Sequence, residues 1–412
     1  MRSLLPDITP LRRSASFRRF FVGQIISLHG SQMAIVALRY QAYDISNKTL
    51  VVGFLAMAQL VPLLIAAIGF GQLADVFDRR RILLITQIVL ALTSVALALN
   101  ARSAHPKLWL LFVLGALSSF AIGIDWPTRS SFVPGLVGDQ LLPSAIALNA
   151  VLYNLAAVVG PILAGFVVQH SISTAFWLDA ASYIVLFTMI GRADPQPRSG
   201  SVKLGFGAVG DGLRYLKKDR LLQSTFAADI GAMVFGMPDA LFPAMARNVF
   251  KGGPKVYGYL QAAPGVGALL AASLNGWTRR VRRQGRAVIW SIVVWGVAIA
   301  GFGFTKSLPL ALVCLALAGA ADAVSAIFRS TIVQVTTPDE YRGRLNAIFV
   351  AVVRGGPRVG ELESGIASSL GGLQFAAWSG GLAVLLAIAV TAKAYPELNR
   401  YEPRLASDEQ QP

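Results

Sequence analysis

The sequence has few of the side chains on which disulfides, metal sites and a soluble surface depend. It contains one cysteine and three histidines, and only 14% of its 412 residues are charged. The lone cysteine, Cys314, lies among apolar neighbours and has no partner for an intramolecular disulfide. His29, His105 and His170 are too far apart in sequence to have the spacing of metal ligands. We therefore expect neither a disulfide nor a bound metal.

The motifs of common enzymes and of nucleotide hydrolysis are also missing. The sequence has no Gly-x4-Gly-Lys-Ser/Thr phosphate loop, no Gly-x-Ser-x-Gly elbow, no His-Glu-x-x-His helix and no Gly-x-Gly-x-x-Gly fingerprint. These absences argue against an enzyme and against direct use of ATP. We predict no catalytic residues and no cofactor, so any active process would draw on an ion gradient, for which protons are our first hypothesis.

Long apolar runs dominate instead, with 55% hydrophobic residues and a mean hydropathy of +0.59. About 20 apolar residues span a bilayer as a helix, and the sequence offers twelve such segments between Arg, Pro and Gly. The predicted spans, numbered 1 to 12 in chain order, are 18–43, 50–76, 82–101, 107–130, 143–169, 173–191, 221–246, 256–277, 287–305, 308–333, 345–370 and 371–393. The prediction is an all-α membrane protein in contact with lipid.

The formal net charge of +16 is a topological signal. Of the 37 Lys and Arg residues, 27 lie on the side shared by both termini, 7 on the opposite side and 3 inside spans. The positive-inside rule then predicts that both termini face the cytoplasm. Because these residues form short runs between apolar segments, without a basic groove lined by aromatics, we exclude nucleic acid as a partner.

The longest connection predicts a division into two halves. It opens with Pro and Gly and continues through Arg214, Lys217 and Lys218 in a short basic amphipathic helix, which we expect to lie on anionic headgroups. The predicted organisation is a tail (1–17), a six-helix bundle (18–191), the linker with its helix (192–220), a second six-helix bundle (221–393) and a tail (394–412).

An internal repeat with an offset of about 200 residues supports this division. Arg129-Ser130-Ser131 matches Arg329-Ser330-Thr331, and Gly160-Pro161 matches Gly356-Pro357, among five matches that occur in the same order. Both halves have the same number of spans and the same orientation. Such parallel repeats are typical of transporters that bind a small molecule near mid-membrane, between the two bundles.

The end of span 2 carries a motif with recognisable spacing. It contains a glycine, a carboxylate at the membrane surface and three arginines, namely Gly71, Asp75, Arg79, Arg80 and Arg81. This segment resembles the loop 2/3 signature of the major facilitator superfamily, although Val76 replaces the usual arginine and Asp78 the usual glycine. Span 5 adds Gly160, Pro161 and Gly165, similar to the glycine-proline signature of exporters in that superfamily.

Further runs, among them Pro62-Leu63-Leu64 and Arg342-Gly343-Arg344, look like the bacterial branch that includes siderophore exporters of the enterobactin type. The resemblance implies the major facilitator fold, a bacterial inner membrane and a monomer that encloses its own cavity. It also implies that Asp75, Arg79 and Arg80 act as a cytoplasmic gate. Arginines placed beside a turn by the positive-inside rule are the alternative explanation of this loop.

Ionisable residues inside spans are costly and usually mark a pathway. The central ones are Asp229 in span 7, Asp322 in span 10, and Arg354, Arg358 and Glu361 in span 11. One of the three acids would carry a proton while Arg354 or Arg358 attracts an anionic substrate, or the same groups would form buried ion pairs between helices. On span 10, Asp322 and Arg329 share a face through Ser325.

The sequence thus favours a proton-coupled exporter of a small amphipathic molecule, drug-like or siderophore-like, that works by alternating access. The alternatives are an importer, an uncoupled facilitator, or a receptor or scaffold that has kept the fold without transport.

Overall fold

The computed structural model describes residues 7–70, 77–193, 207–274, 276, 278 and 281–402, and it is helical with no strand in these ranges. The helices of the first part of the chain are α1 (Thr9–Arg13), α2 (Ala15–Ser46), α3 (Thr49–Phe70), α4 (Arg79–Arg102), α5 (Leu108–Val137), α6 (Leu142–His170) and α7 (Ile172–Gly191). Those of the second part are α8 (Gly207–Leu216), α9 (Arg220–Gly236), α10 (Phe242–Asn248), α11 (Gly253–Ser273), α12 (Gln284–Phe304), α13 (Leu308–Thr336), α14 (Asp339–Gly371), α15 (Leu373–Ala394) and α16 (Pro396–Arg400), with a 3₁₀ turn at Asp239–Leu241.

Side-chain caps and left-handed residues mark several helix boundaries. The hydroxyl of Ser14 accepts a hydrogen bond from the Phe17 amide at the start of α2, and Asp219 accepts one from the Leu222 amide at the start of α9. Each cap satisfies an amide that the first helical turn leaves without a partner. Asn47 ends α2 at φ 53°, and Gly372 separates α14 from α15 at φ 88°.

Ten helical segments are long and apolar enough to cross a membrane, counted over the residues described. They cover ten of the twelve predicted spans, with α9 and α10 forming one segment, Arg220–Asn248. The other two predicted spans lie on α11 and α14. Both form helices, but neither is among the ten; α14 carries eight charged residues.

The chain folds into two compact units, Met1–Gly205 with Pro243–Ala262, and Phe206–Phe242 with Ala263–Pro412. Residues 243–262 belong to the first unit, although they follow the start of the second in the chain. There Arg247 forms an ion pair of 3.2 Å with Asp44 on α2, and Tyr257 stacks on Tyr40 with ring centroids 6.0 Å apart. This grouping of 243–262 is absent from the sequence prediction.

The first unit is held by an apolar core in which α2, α4, α5, α6 and α7 meet. Phe20 and Phe132 are fully buried and pack edge to face with centroids 5.5 Å apart. Leu83, Leu148 and Leu186 belong to the same cluster. Burial of large aromatic and aliphatic side chains stabilises this end of the unit, where the ends of these helices converge.

In the second unit the amphipathic helix α8 packs on α14. Tyr215 stacks on Tyr341 with centroids 4.5 Å apart, and Asp211 forms an ion pair of 3.6 Å with Arg344. Leu216 joins the apolar cluster around Leu222. The predicted amphipathic helix is therefore α8, which packs one face on α14 and leaves Arg214 exposed. The contact of α8 with lipid headgroups stays a prediction.

The predicted C-terminal tail begins with an ordered segment. Glu397 on α16 forms an ion pair of 3.4 Å with Arg220 at the start of α9, and Glu402 forms one of 3.0 Å with Arg283 beside α12. Leu398 is fully buried. Residues 396–402 therefore belong to the second unit rather than to a free tail.

Candidate functional site

One buried arginine with two acidic partners lies in the second unit. Arg329 on α13 forms ion pairs with Asp229 on α9 at 2.9 Å and with Asp322 on its own helix at 3.3 Å. Its Nη1 also donates to the hydroxyl of Ser325 at 3.0 Å. The side chains of Arg329 and Asp229 are each 1% exposed, whereas that of Asp322 is 29% exposed.

The helical repeat explains half of this cluster. Asp322 lies seven residues before Arg329, and Ser325 lies four residues before it. This spacing places the three side chains on one face of α13. Their contacts agree with the shared face expected from the sequence. Asp229 comes from another helix, so the cluster also ties α9 to α13. With both carboxyls ionised it carries one excess negative charge, and a single proton makes it neutral.

The first unit contains a related but balanced pair. Arg129 on α5 forms an ion pair with Asp125 through its Nε, and its Nη2 donates to Oε1 of Gln87 on α4 at 3.5 Å. Asp125 also accepts from Thr86 at 2.8 Å and from Gln87 Nε2 at 2.7 Å. Arg129 and Arg329 occupy matching positions of the internal repeat; within the described residues the ion pairs join Arg129 to one carboxylate and Arg329 to two.

Asp125 and Asp179 are two further buried acids that the sequence analysis did not single out. Asp125 is 5% exposed and Asp179 2% exposed. The spacing of Asp125 and Arg129, one helical turn, was a usable signal for their ion pair. Asp179 on α7 accepts from the hydroxyl of Ser94 on α4 at 2.6 Å, and this contact between distant segments left no local sequence signal.

The remaining charged candidates share one helix. Glu361 is 1% exposed on α14, and Arg354 and Arg358 are half-buried one turn apart on the same helix. Their spacing is that of residues on one face of a helix. Asp229 and Asp322 both contact Arg329, which lies on α13.

The predicted gate motif is described only in part, because Gly71 and Asp75 lie outside the described residues. Asp78 caps α4 by accepting from the Arg80 amide at 3.0 Å. The guanidinium of Arg80 donates to the carbonyl of Gly191 at the end of α7, where a cation complements the helix dipole. Arg81 is exposed. Asp78, which replaces the usual glycine, thus starts a helix here, and Arg80 joins two helix ends within the first unit.

The glycine-proline motif of span 5 forms a close helix crossing. The helix α6 continues through Pro161. A Cβ atom on Gly165 would lie 2.8 Å from the Pro254 carbonyl oxygen and 3.1 Å from the Cα of Lys255, both on α11. The small residue allows the two backbones to approach each other.

A metal site is not formed by the residues described, which contain no group of three or more His, Cys, Asp or Glu side chains suited to hold an ion. The described residues instead place a balanced ion pair in the first unit and a cluster with one excess acid in the second. Ionisable groups inside helical bundles are typical of pathways for protons or charged solutes.

Comparison with known proteins gives the family. Residues 6–410 match the family described as transmembrane secretion effector. The enterobactin exporter of Shigella boydii serotype 4 is 26% identical over 378 residues, covering 90% of this chain and 88% of the relative. An enterobactin exporter of Escherichia coli has the same identity and coverage.

Solved structures show the same fold at low sequence identity. The nucleoside transporter NupG has a TM-score of 0.75 at 13% identity, covering 94% of this chain and 100% of that one. A POT family transporter in complex with 5-aminolevulinic acid also has a TM-score of 0.75, at 11% identity with 94% and 97% coverage. These relatives are transporters and not enzymes, in agreement with the sequence prediction. Because the family match spans nearly the whole chain, the protein belongs to the transmembrane secretion effectors of the major facilitator superfamily.

Proposed function

We propose that this multi-pass membrane transporter is a proton-coupled exporter of a small amphipathic molecule in a bacterial inner membrane. In this proposal twelve helices form two parallel six-helix repeats, both termini are cytoplasmic, and one chain is sufficient for transport by alternating access. The secretion family and the enterobactin exporters favour export. The spacing of the repeat and the distribution of Lys and Arg favour the topology.

The observation that carries proton coupling is the cluster of Asp229, Asp322 and Arg329. One guanidinium faces two carboxyl groups, so the cluster changes between a net charge of minus one and zero when a single proton binds. Asp322 is the acid through which that proton enters, because its side chain is 29% exposed whereas that of Asp229 is 1% exposed. Buried charge without compensation is costly, so the protonation state is tied to how the helices pack.

Protonation would redistribute the contacts of Arg329. With Asp322 neutral, Arg329 keeps its ion pair with Asp229, and no second carboxylate competes for the guanidinium that links α13 to α9. With Asp322 ionised, the two acids compete for the same guanidinium and this link weakens. In a protein that alternates between two helix packings, this difference in the strength of the Arg329–Asp229 ion pair shifts the populations of the two conformations.

The cytoplasmic gate completes the proposal. Arg79, Arg80 and Arg81 begin α4 at the predicted cytoplasmic end of the first repeat, and Arg80 joins α4 to α7. We assign the gate to these residues with Gly71 and Asp75, as the superfamily motif implies. Glu361, Arg354 and Arg358 on α14 are assigned to the substrate pathway, since they place charge on one face of a helix that contains Pro357.

The test is transport by the full-length chain in proteoliposomes with and without a pH gradient, using a fluorescent cationic dye and enterobactin as probes. We expect gradient-driven accumulation that a protonophore abolishes. Asp322→Asn should lose the gradient-driven component yet retain exchange of substrate across the membrane, because the alternating step no longer needs a proton. Asp339→Asn, at an exposed acid of an ion pair outside the cluster, is the matched control.

Four results would contradict the proposal. Accumulation that ignores the protonophore would indicate an uncoupled facilitator, and gradient-driven transport that survives in Asp322→Asn would move the proton site elsewhere. Transport in the opposite direction would indicate an importer. Absence of transport of every probe by correctly inserted protein would favour the receptor or scaffold.

A further inference from the structure

A buried acid lies in the first unit, apart from the cluster of Asp229, Asp322 and Arg329. Asp179 is seven residues after Ile172, the first residue of α7, which is about 10 Å along the helix axis. The helix α7 is one of the segments long and apolar enough to cross a membrane. The carboxyl group therefore lies within a hydrocarbon layer that is about 30 Å thick, and the residue is 2% exposed.

Asp179 has few of the partners that an ionised carboxylate needs. Its Oδ2 accepts one hydrogen bond, from the hydroxyl of Ser94 on α4 at 2.6 Å. Its Oδ1 is buried without a hydrogen-bond partner among the described residues. The ion pairs found within the described ranges do not include Asp179. A carboxylate offers about four acceptor positions, so most of those on Asp179 are unused.

Asp125 in the same unit shows what compensation a buried carboxylate can receive. It is 5% exposed, forms an ion pair with Arg129 and accepts hydrogen bonds from Thr86 at 2.8 Å and from Gln87 at 2.7 Å. Asp179 is buried more completely and has one neutral donor where Asp125 has a cation and two donors. Because a buried charge without compensation is costly, a carboxyl group in this position takes up a proton instead of remaining ionised.

The ionisable groups of the neighbouring helices do not compensate Asp179. The helix α4 has no ionisable residue between Arg81 and Arg102. On α2, the Nδ1 of His29 lies 2.7 Å from a carbonyl oxygen of its own helix. On α7, the hydroxyl of Tyr183 shares a hydrogen bond of 2.9 Å with a serine of α2. The other ionisable residues of α2, α5 and α6 are Arg18, Arg19, Arg39, Tyr40, Tyr43, Asp44, Asp125, Arg129, Tyr153 and His170.

The described residues leave no room for a metal cation beside Oδ1 of Asp179. A Cβ atom on Gly30 of α2 would collide with the hydroxyl of Ser182 and would lie 3.1 Å from this oxygen. The backbone of α2 therefore already packs against Oδ1. A hard metal cation needs several oxygen ligands around it, whereas a carboxyl proton adds almost no volume. The cation that fits Asp179 is a proton.

We propose that Asp179 is a second proton-binding site, with a carboxyl group that is neutral in the packing described here. With the proton on Oδ1, Oδ2 keeps the hydrogen bond from Ser94. Because α4 and α2 meet this group on α7, its ionisation is tied to the packing of three helices, and a conformation that supplies a cation or water to Asp179 releases the proton. Under the proposed transport function, on which this last step rests, the first unit contributes one coupled proton in addition to that of the Asp322 cluster.

The test is infrared spectroscopy of the purified full-length chain in detergent at pH 7, because a neutral carboxyl group has a carbonyl stretching band that a carboxylate lacks. We expect Asp179→Asn to lose one such carbonyl band relative to the parent protein. The matched control Asp44→Asn, at a half-exposed acid paired with Arg247, should instead lose a carboxylate band. Ser94→Ala keeps Asp179 and removes its hydrogen bond, so the same carbonyl band should move to higher frequency.

Loss of a carboxylate band in Asp179→Asn, with every carbonyl band retained, would overturn the proposal, as would a carbonyl band that Ser94→Ala leaves unshifted. If Asp179→Asn does not fold, the Ser94→Ala spectrum decides. The spectra need neither a gradient nor a substrate, so they are independent of coupling in the second unit. If they fail while Asp322→Asn still loses gradient-driven transport, only the site in the first unit is wrong; if they succeed and Asp322→Asn transports normally, only the assignment of the coupled proton to the cluster is wrong.

Discussion

Arg329→Gln tests whether the cluster in the second unit is a stabilising ion pair. The substitution removes the guanidinium that lies 2.9 Å from Asp229, whose side chain is 1% exposed. Removing one partner of a buried pair costs about 3–5 kcal/mol, because the remaining charge is left without compensation. Arg214→Gln removes an arginine whose side chain is 79% exposed from its pair with Asp211, and such surface pairs contribute about 0–1 kcal/mol.

The first unit supplies an intermediate case. Arg129→Gln leaves Asp125 with the hydrogen bonds from Thr86 and Gln87, at 2.8 and 2.7 Å. Hydrogen bonds to a charged group contribute about 1.5–3 kcal/mol each. Asp125 therefore retains part of its compensation, and we expect the loss of stability to rank Arg329→Gln first, Arg129→Gln second and Arg214→Gln last.

The assay is thermal unfolding of each full-length variant in one detergent, followed by tryptophan fluorescence. A combined variant, Arg329→Gln with Asp229→Asn, removes both charges and should recover part of the stability lost in Arg329→Gln, as expected for residues that interact directly. If Arg329→Gln unfolds at the same temperature as Arg214→Gln, or if the combined variant is no more stable than Arg329→Gln, the reasoning from buried charge is refuted.

Three further predictions concern other parts of the structure. Gly165→Leu should destabilise the first unit by about 1–3 kcal/mol and reduce transport, because a Cβ there lies 2.8 Å from a carbonyl oxygen of α11; unchanged melting and transport would contradict the close crossing. Tyr341→Ala should cost about 0.5–1.5 kcal/mol beyond lost area through its stacking on Tyr215, and a double-mutant cycle in which the two alanine substitutions are additive would contradict this. Hydrogen bonds from Thr9 hold the pKa of Asp7 below its ordinary value, so the contacts of the ionised carboxylate are present above the unfolded pKa and are lost as the pH falls through the lower folded value. The ionised carboxylate also accepts from the hydroxyl of Ser144 on α6 at 2.8 Å. Limited proteolysis near α1 should therefore be slow at pH 7 in the parent protein and faster in Asp7→Asn, and equal rates would contradict a role of these hydrogen bonds in holding the segment.

Local patterns were sufficient for much of the architecture. Runs of apolar residues predicted the helices, since length and hydropathy are properties of contiguous sequence. The helical repeat placed Asp322 and Arg329 on one face of one helix, and their contact through that face follows from backbone geometry alone. The spacing of the loop motif and the glycine-proline motif gave the superfamily, which the family match confirms.

Contacts between segments distant in sequence left no comparable signal in the sequence. Segment 243–262 joins the first unit through Arg247 and Tyr257, although the sequence placed it in the second bundle. The amphipathic helix α8 has α14 against one face. In both cases the pattern of polar and apolar residues shows which face is to be covered, and it does not identify what covers it.

The sequence by itself determined the helices, the family and the presence of acids and arginines inside them. Only the tertiary structure decided that Asp229 shares Arg329 with Asp322, and that Asp179 on α7 meets Ser94 on α4. The physical reason is the range of the forces involved: helix formation and hydropathy act over neighbouring residues, whereas ion pairs and buried hydrogen bonds need side chains from distant segments within a few ångströms, and that proximity is set by packing.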